Sequence, residues 1–222
     1  MTRPRPAAGG GRWVDVAPER LARWLADFDA RHPVARSVYT PELASFEAAD
    51  GALAECHPPF PPLPEAADDA GLVAEPLLAH ACRDRVVGVL LVRLGGHAAG
   101  VFEGERLVAG KAGSRLVHGR HAAGGWSQQR FARRRAGQAR VAARAAADDA
   151  ARLLVPALPV LEAVVLGGDR RAVEPLRADP RLAGVFALAV DRFLPTREPR
   201  RSVLEHVPAA FRAVRVRLVV PG

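Results

Sequence analysis

The stretch Val86-Val87-Gly88-Val89-Leu90-Leu91-Val92, between Arg85 and Arg93, decides the fold class. It is a nearly continuous apolar, β-branched run, which is typical of a central strand buried on both faces. Gly95-Gly96 predicts a turn into a second strand over 98–103, and a third strand over 106–117 completes a meander.

The residues after the meander predict the rest of the sheet and one long helix. A helical pattern runs from Ser127 to about Leu154 and is stopped by Pro156. We then expect strands at 161–166 and 185–190, a helix over 170–176 between them, and a last strand within 203–219. Three strands, a helix and then alternating elements predict an α/β domain whose mixed sheet is flanked by helices.

The residues before the meander predict a smaller α/β segment. A strand at 13–16 is followed by a helix from Pro18 to about Ala30, a hairpin over 44–56 around Asp50-Gly51, a proline-rich loop over 57–64 and a helix over 71–81. We therefore divide the chain into a flexible N-terminus (1–11), an N-terminal α/β segment packed on the core (12–82) and a core (83–222). A single domain is the alternative.

Composition excludes several classes of protein. No run of 18 apolar residues predicts a membrane span, and the Pro/Gly/Arg-rich start does not resemble a signal peptide. Cys56 and Cys82 have neither CxxC nor His-flanked spacing, so reduced thiols are expected and no metal or cofactor. We expect a cytoplasmic monomer without membrane contact.

The positive charge is concentrated in one stretch. The chain has 32 basic and 24 acidic residues, and ten of the basic ones lie between 106 and 147, where no carboxylate occurs. The remainder is 22 basic against 24 acidic residues, so the stretch indicates a surface for a polyanion. Its members are Arg106, Lys111, Arg115, Arg120, Arg130, Arg133, Arg134, Arg135, Arg140 and Arg144.

Within this stretch lies Gly124-Gly125-Trp126-Ser127-Gln128-Gln129. Its simplest interpretation is a loop-to-helix junction, since glycines permit sharp turns and Ser127 suits an N-cap. On the following helix, Arg130, Arg133, Arg134, Arg140 and Arg144 fall within roughly 120° of arc, without interleaved acidic residues. Binding of backbone phosphate explains this pattern better than a solvated face does. Trp126 either packs on the helix start or stacks on an RNA base.

The twelve residues from Gly124 to Arg135 resemble the catalytic loop and helix start of eukaryotic and archaeal class 1 peptide-chain release factors, whose motif begins Gly-Gly-Gln-Ser and continues to Arg-Phe-Ala-Arg-x-Arg. The runs Val164-Val165-Leu166-Gly167-Gly168 and Asp179-Pro180-Arg181-Leu182 are also similar to that middle domain. Trp126 stands at the position of the family's catalytic glutamine. The shifted Gly125-x-x-Gln128 resembles the bacterial, actinobacterial members of the Vms-like branch of peptidyl-tRNA hydrolases.

The resemblance implies a middle-domain-like fold and hydrolysis of peptidyl-tRNA on stalled large ribosomal subunits, with no cofactor. Gln128 would position the water, with Gln129 as the alternative, and Gly124 and Gly125 would shape the loop. Peptidyl-tRNA and ribosomal RNA would be the partners. The RNA-binding candidates are Trp126, Ser127, Gln129, Arg130, Arg133, Arg134, Arg140, Arg144, Arg120 and Lys111. Cleavage of the tRNA 3′ end by the same loop and RNA binding without catalysis stay open as alternatives.

Overall fold

The computed structural model describes residues 5–64, 66–114 and 127–221, and for residues 127–135 it describes the backbone alone. The helices are α1 (Pro18–Asp29), α2 (Glu75–Cys82), α3 (Ser127–Leu154), α4 (Arg170–Val173), α5 (Ala183–Ala187), α6 (Arg201–His206) and α7 (Pro208–Phe211), with 3₁₀ turns at Glu174–Ala178 and Pro180–Leu182. The strands are β1 (Arg5–Pro6), β2 (Arg12–Val16), β3 (Val34–Tyr39), β4 (Ala44–Ala48), β5 (Leu53–His57), β6 (Ala67–Ala70), β7 (Val86–Arg93), β8 (Gly96–Glu103), β9 (Arg106–Ser114), β10 (Ala163–Gly168), β11 (Ala189–Leu194) and β12 (Val214–Val219).

The chain forms two compact units, of which the first combines the residues up to Arg83 with those from Ala209 onward. Its seven-stranded sheet has the order β1-β2-β12-β5-β4-β3-β6, and every pairing is antiparallel. Helix α1 begins with Pro18 in its first turn, and it buries Leu21, Leu25 and Phe28 at helical spacing in the core of this unit. The predicted helix and the predicted 44–56 hairpin are both found.

The last strand differs from our expectation, which placed it in the core of residues 83–222. β12 lies between β2 and β5 in the first unit. It buries Val214, Val216 and Leu218 and leaves Arg215 and Arg217 half-buried, which is the alternation that a sheet covered on one face requires. β3 and β6 were not predicted, since neither shows a strong alternating pattern.

The second unit, Asp84–Pro208, holds the predicted meander in a five-stranded sheet of order β11-β10-β7-β8-β9. β7, β8 and β9 pair antiparallel, whereas β10 is parallel to both β7 and β11. The predicted fold class, a mixed sheet flanked by helices with one long helix, is confirmed. The run 86–92 is the central strand, with Leu90 and Leu91 fully buried.

One local prediction in this unit, the strand at 185–190, needs correction. Residues 183–187 form α5 and the strand begins only at Ala189, because a short apolar run does not distinguish a strand from a buried helical turn. Gly167-Gly168-Asp169 is a structural turn. Gly168 has φ +99°, and a Cβ atom on it would lie 2.0 Å from the Val92 carbonyl oxygen. Asp169 caps α4 by accepting a hydrogen bond from the Arg171 amide at 2.9 Å.

Candidate active site and nucleic-acid interface

The predicted catalytic loop lies in a connection between two described elements. β9 ends at Ser114 and α3 begins at Ser127, so Arg120, Gly124, Gly125 and Trp126 lie outside the described residues. Ser127, Gln128 and Gln129 form the first turn of α3, as predicted, and Arg130, Arg133 and Arg134 follow on the same helix. The structure does not describe the side chains of these six residues, so the roles assigned to them stay predictions.

Burial along α3 divides the helix into two parts. No residue from 136 to 145 is buried, whereas Ala146, Ala147, Ala150 and Leu154 all belong to the hydrophobic core of the second unit. The helix is therefore anchored by its last two or three turns. At 1.5 Å per residue, Ser127 lies roughly 32 Å along the axis from Asp148.

Arg140 and Arg144 line one wall of an open groove of about 670 Å³. Both side chains are exposed, and within residues 5–64, 66–114 and 127–221 neither forms an ion pair. They are spaced i,i+4, so they repel each other by a few tenths of a kcal/mol in the isolated helix, and a bound anion would relieve this repulsion. The other lining residues are Ala139, Ala143 and Ala147 of α3 and, opposite them, Pro175, Ala178, Asp179, Pro180 and Arg181.

Lys111 is placed differently from the two arginines. Its Nζ atom lies 3.2 Å from Oδ1 of Asp149, with the lysine side chain 49% exposed. This amine already has a carboxylate partner within the protein. Lys111 therefore connects β9 to α3, and its predicted contact with RNA stays a prediction.

Asp149 also forms a hydrogen bond with His97, which was not predicted from the sequence. Nε2 of His97, on β8, lies 2.9 Å from Oδ2 of Asp149, and the two side chains are 5% and 14% exposed. Burial alone would raise the pKa of the Asp149 carboxyl, but the hydrogen bonds from His97 and Lys111 outweigh it, and the pKa lies below its ordinary value. A histidine within an apolar strand was the one available signal for this contact.

Asp148 forms a second connection on α3. Its Oδ1 atom lies 2.8 Å from a terminal guanidinium nitrogen of Arg181. Arg181 also binds Asp179, whose Oδ1 accepts the Arg181 amide at 3.0 Å and caps the 3₁₀ turn. The Asp179-Pro180-Arg181-Leu182 run thus links this turn to α3. Asp148 and Asp149 are the first acidic residues after the basic stretch, and these contacts tie that point of α3 to its neighbours.

Two features of the described part of the chain concern metal and membrane binding. Among those residues, no three His, Cys, Asp or Glu side chains come together as a candidate metal site. None of the helices there combines the length and hydropathy needed to span a bilayer.

Fold and site together define a mixed α/β protein in which a long basic helix follows directly on the glycine-containing segment. The sequence model of the Actinobacteria/chloroflexi VLRF1 release factor family matches residues 85–217. The chain belongs to this family of release factors, and its function therefore falls in the class of translation termination or ribosome rescue.

Solved structures resemble this chain only weakly. No curated protein sequence matches the chain significantly. The archaeal translation termination factor aRF1 superposes with a TM-score of 0.44 at 14% identity, over 89% of this chain and 73% of the factor. S. cerevisiae Dom34, a translation termination-like factor involved in RNA quality control pathways, gives a TM-score of 0.31 at 8% identity, over 93% and 66%. The family assignment rests on the sequence match alone.

Proposed function

We propose that this protein is a peptidyl-tRNA hydrolase that frees nascent peptides from tRNA on stalled large ribosomal subunits. The observation that carries the proposal is the sequence Gly124-Gly125-Trp126-Ser127-Gln128 at the start of α3, in a chain that belongs to a release-factor family. On this proposal the protein works in the cytoplasm, as a monomer and without a cofactor.

The chemistry requires a water aligned on the ester carbonyl and stabilisation of the oxyanion that forms. A neutral carboxamide is a weak base, so Gln128 would act by orienting the water and donating hydrogen bonds to the developing charge. Proton transfer would then use the ribose hydroxyl of the substrate and the surrounding ribosomal RNA. Gly124 and Gly125 would let the loop enter a narrow, RNA-lined cavity.

RNA binding would come from the cations of α3. Arg130, Arg133 and Arg134 follow the loop within two turns and would contact the acceptor stem or ribosomal RNA, while Arg140 and Arg144 extend the basic surface farther along the helix. Arg140 and Arg144 are exposed and have no ion-pair partner among the residues that the structure describes, which supports this role, since unpaired cations are available to phosphate.

The decisive experiment measures peptide release from peptidyl-tRNA on purified large subunits. We expect Gln128→Ala to lose release by at least about 100-fold, as for the removal of one oxyanion donor, while subunit binding is retained. Gln129→Ala is the matched control and should keep most of the activity. Full activity of Gln128→Ala would refute the assignment, and loss in Gln129→Ala alone would transfer the role to Gln129.

Sizing the RNA product separates hydrolysis from the alternative nuclease activity. Ester hydrolysis leaves the tRNA with an intact CCA end, whereas cleavage of the 3′ end shortens it. Binding to subunits with neither product would identify a non-catalytic RNA-binding module.

A further inference from the structure

The base of α3 is held on two sides by neighbouring aspartates. Successive residues of a helix point about 100° apart, so Asp148 and Asp149 leave the helix in different directions. Asp149 meets His97 on β8 and Lys111 on β9, at 2.9 and 3.2 Å. Asp148 meets Arg181, in the 3₁₀ turn Pro180–Leu182, at 2.8 Å.

The Asp149 side is the stronger of the two contacts. His97 and Asp149 are both largely buried, so water screens their hydrogen bond little. Gly113 of β9 keeps the space for the imidazole, because a Cβ atom there would lie 2.6 Å from Cε1 of His97. The Asp148–Arg181 pair is more exposed, at 39% and 50%, but Asp179 also binds the same guanidinium, at 2.6 Å.

These contacts lie at the packed end of α3, where a small change in the direction of the helix axis causes a large displacement of the opposite end. The fully buried residues of α3 begin at Ala146, and Ala143 before them is partly buried against the same core, so the main packing of the helix lies in its last three turns. Over the roughly 32 Å from Asp148 to Ser127, a tilt of about 5° moves the helix start by about 3 Å. A displacement of about 1 Å at a reacting group can reduce a rate about 100-fold.

We propose that Asp148 and Asp149 form a two-sided clamp that sets the direction of α3 and thereby the position of the residues at its start. They are positioning residues: they contact His97, Lys111 and Arg181 and act on the reaction through the helix. The kinetic part of this inference rests on the proposed hydrolase function, whereas the geometric part does not.

The kinetic test uses the Asp148→Ala/Asp149→Ala double variant in the release assay. We expect kcat to fall about 10- to 100-fold while half-saturation by large subunits changes less than about 2-fold. Val185→Ala is the control, because Val185 is fully buried in the same unit and, being apolar, takes no part in the ion pairs of Asp148 and Asp149. Both variants are assayed at a temperature where urea unfolding shows that they are folded. Under these conditions Val185→Ala should keep the wild-type kcat. Full kcat in the double variant, or an equal loss in the control, overturns the clamp.

A distance measurement tests the clamp even if the protein releases no peptide. Spin labels at Ala136→Cys on α3 and Glu103→Cys on β8, in a Cys82→Ser background, report the helix direction, since Ala136 and Glu103 are exposed and Cys56 is buried. We expect one narrow distance distribution that broadens or shifts by about 2 Å or more in the double variant. An unchanged distribution refutes the clamp, whereas a shifted distribution in a protein without release activity refutes only the hydrolase proposal.

Discussion

Replacing Arg140 and Arg144 by glutamine tests whether the groove wall of α3 binds phosphate. Each phosphate contact contributes about 0.7 to 0.9 to the slope of log affinity against log salt, so two lost contacts flatten the slope by about 1.4 to 1.8. The ratio of wild-type affinity to variant affinity should therefore fall by roughly 7- to 12-fold when the salt concentration rises from 50 to 200 mM. This magnitude requires both cations to be unpaired, as they are among the described residues.

The assay is binding of labelled protein to purified large ribosomal subunits at several salt concentrations. Arg20→Gln/Arg23→Gln on α1 is the matched control, because it removes the same charge from an exposed helix of the first unit. Lys111→Gln is the second comparison and should flatten the slope less than either groove arginine does, since Lys111 is paired with Asp149. An unchanged slope in the Arg140/Arg144 variant, or an equal change in the α1 control, would show that the groove wall is not a phosphate site.

Two further predictions concern stability. The pKa of Asp149 is lowered, so its ionised form stabilises the folded state above its unfolded pKa, and this contribution is lost as the pH falls through the folded pKa. Urea unfolding should therefore separate wild type from Asp149→Asn at pH 6 and not at acidic pH, and a pH-independent difference would contradict this. Ser37→Ala should cost about 1–3 kcal/mol, because the buried hydroxyl donates to the Gly71 carbonyl at 2.6 Å and accepts from the Val73 amide at 3.0 Å. A thermal melt within 1 °C of wild type would count against it.

The sequence predicts those strands and helices whose own residues show a periodic pattern of apolar side chains. The run 86–92 and the helix beginning at Pro18 were predictable because burial imposes a strand or helix periodicity on consecutive residues. β6 was not, since Ala67-Asp68-Asp69-Ala70 is polar and becomes a strand only through pairing with β3. The same limit applies to His97 and Asp149, which are 52 residues apart and meet only in the folded unit. The predicted loop at 124–126 lies outside the described residues, and its role stays a prediction.

The position of β12 has a consequence for how the protein is made. β2 and β5 do not pair with each other, and β12 alone connects them within the sheet. On the ribosome, β2 and β5 therefore emerge long before β12, the strand that joins them. The loop that forms when β12 pairs with them contains the whole unit of residues 84–208. The sheet of the first unit therefore cannot be completed during synthesis until β12, residues 214–219, has been translated.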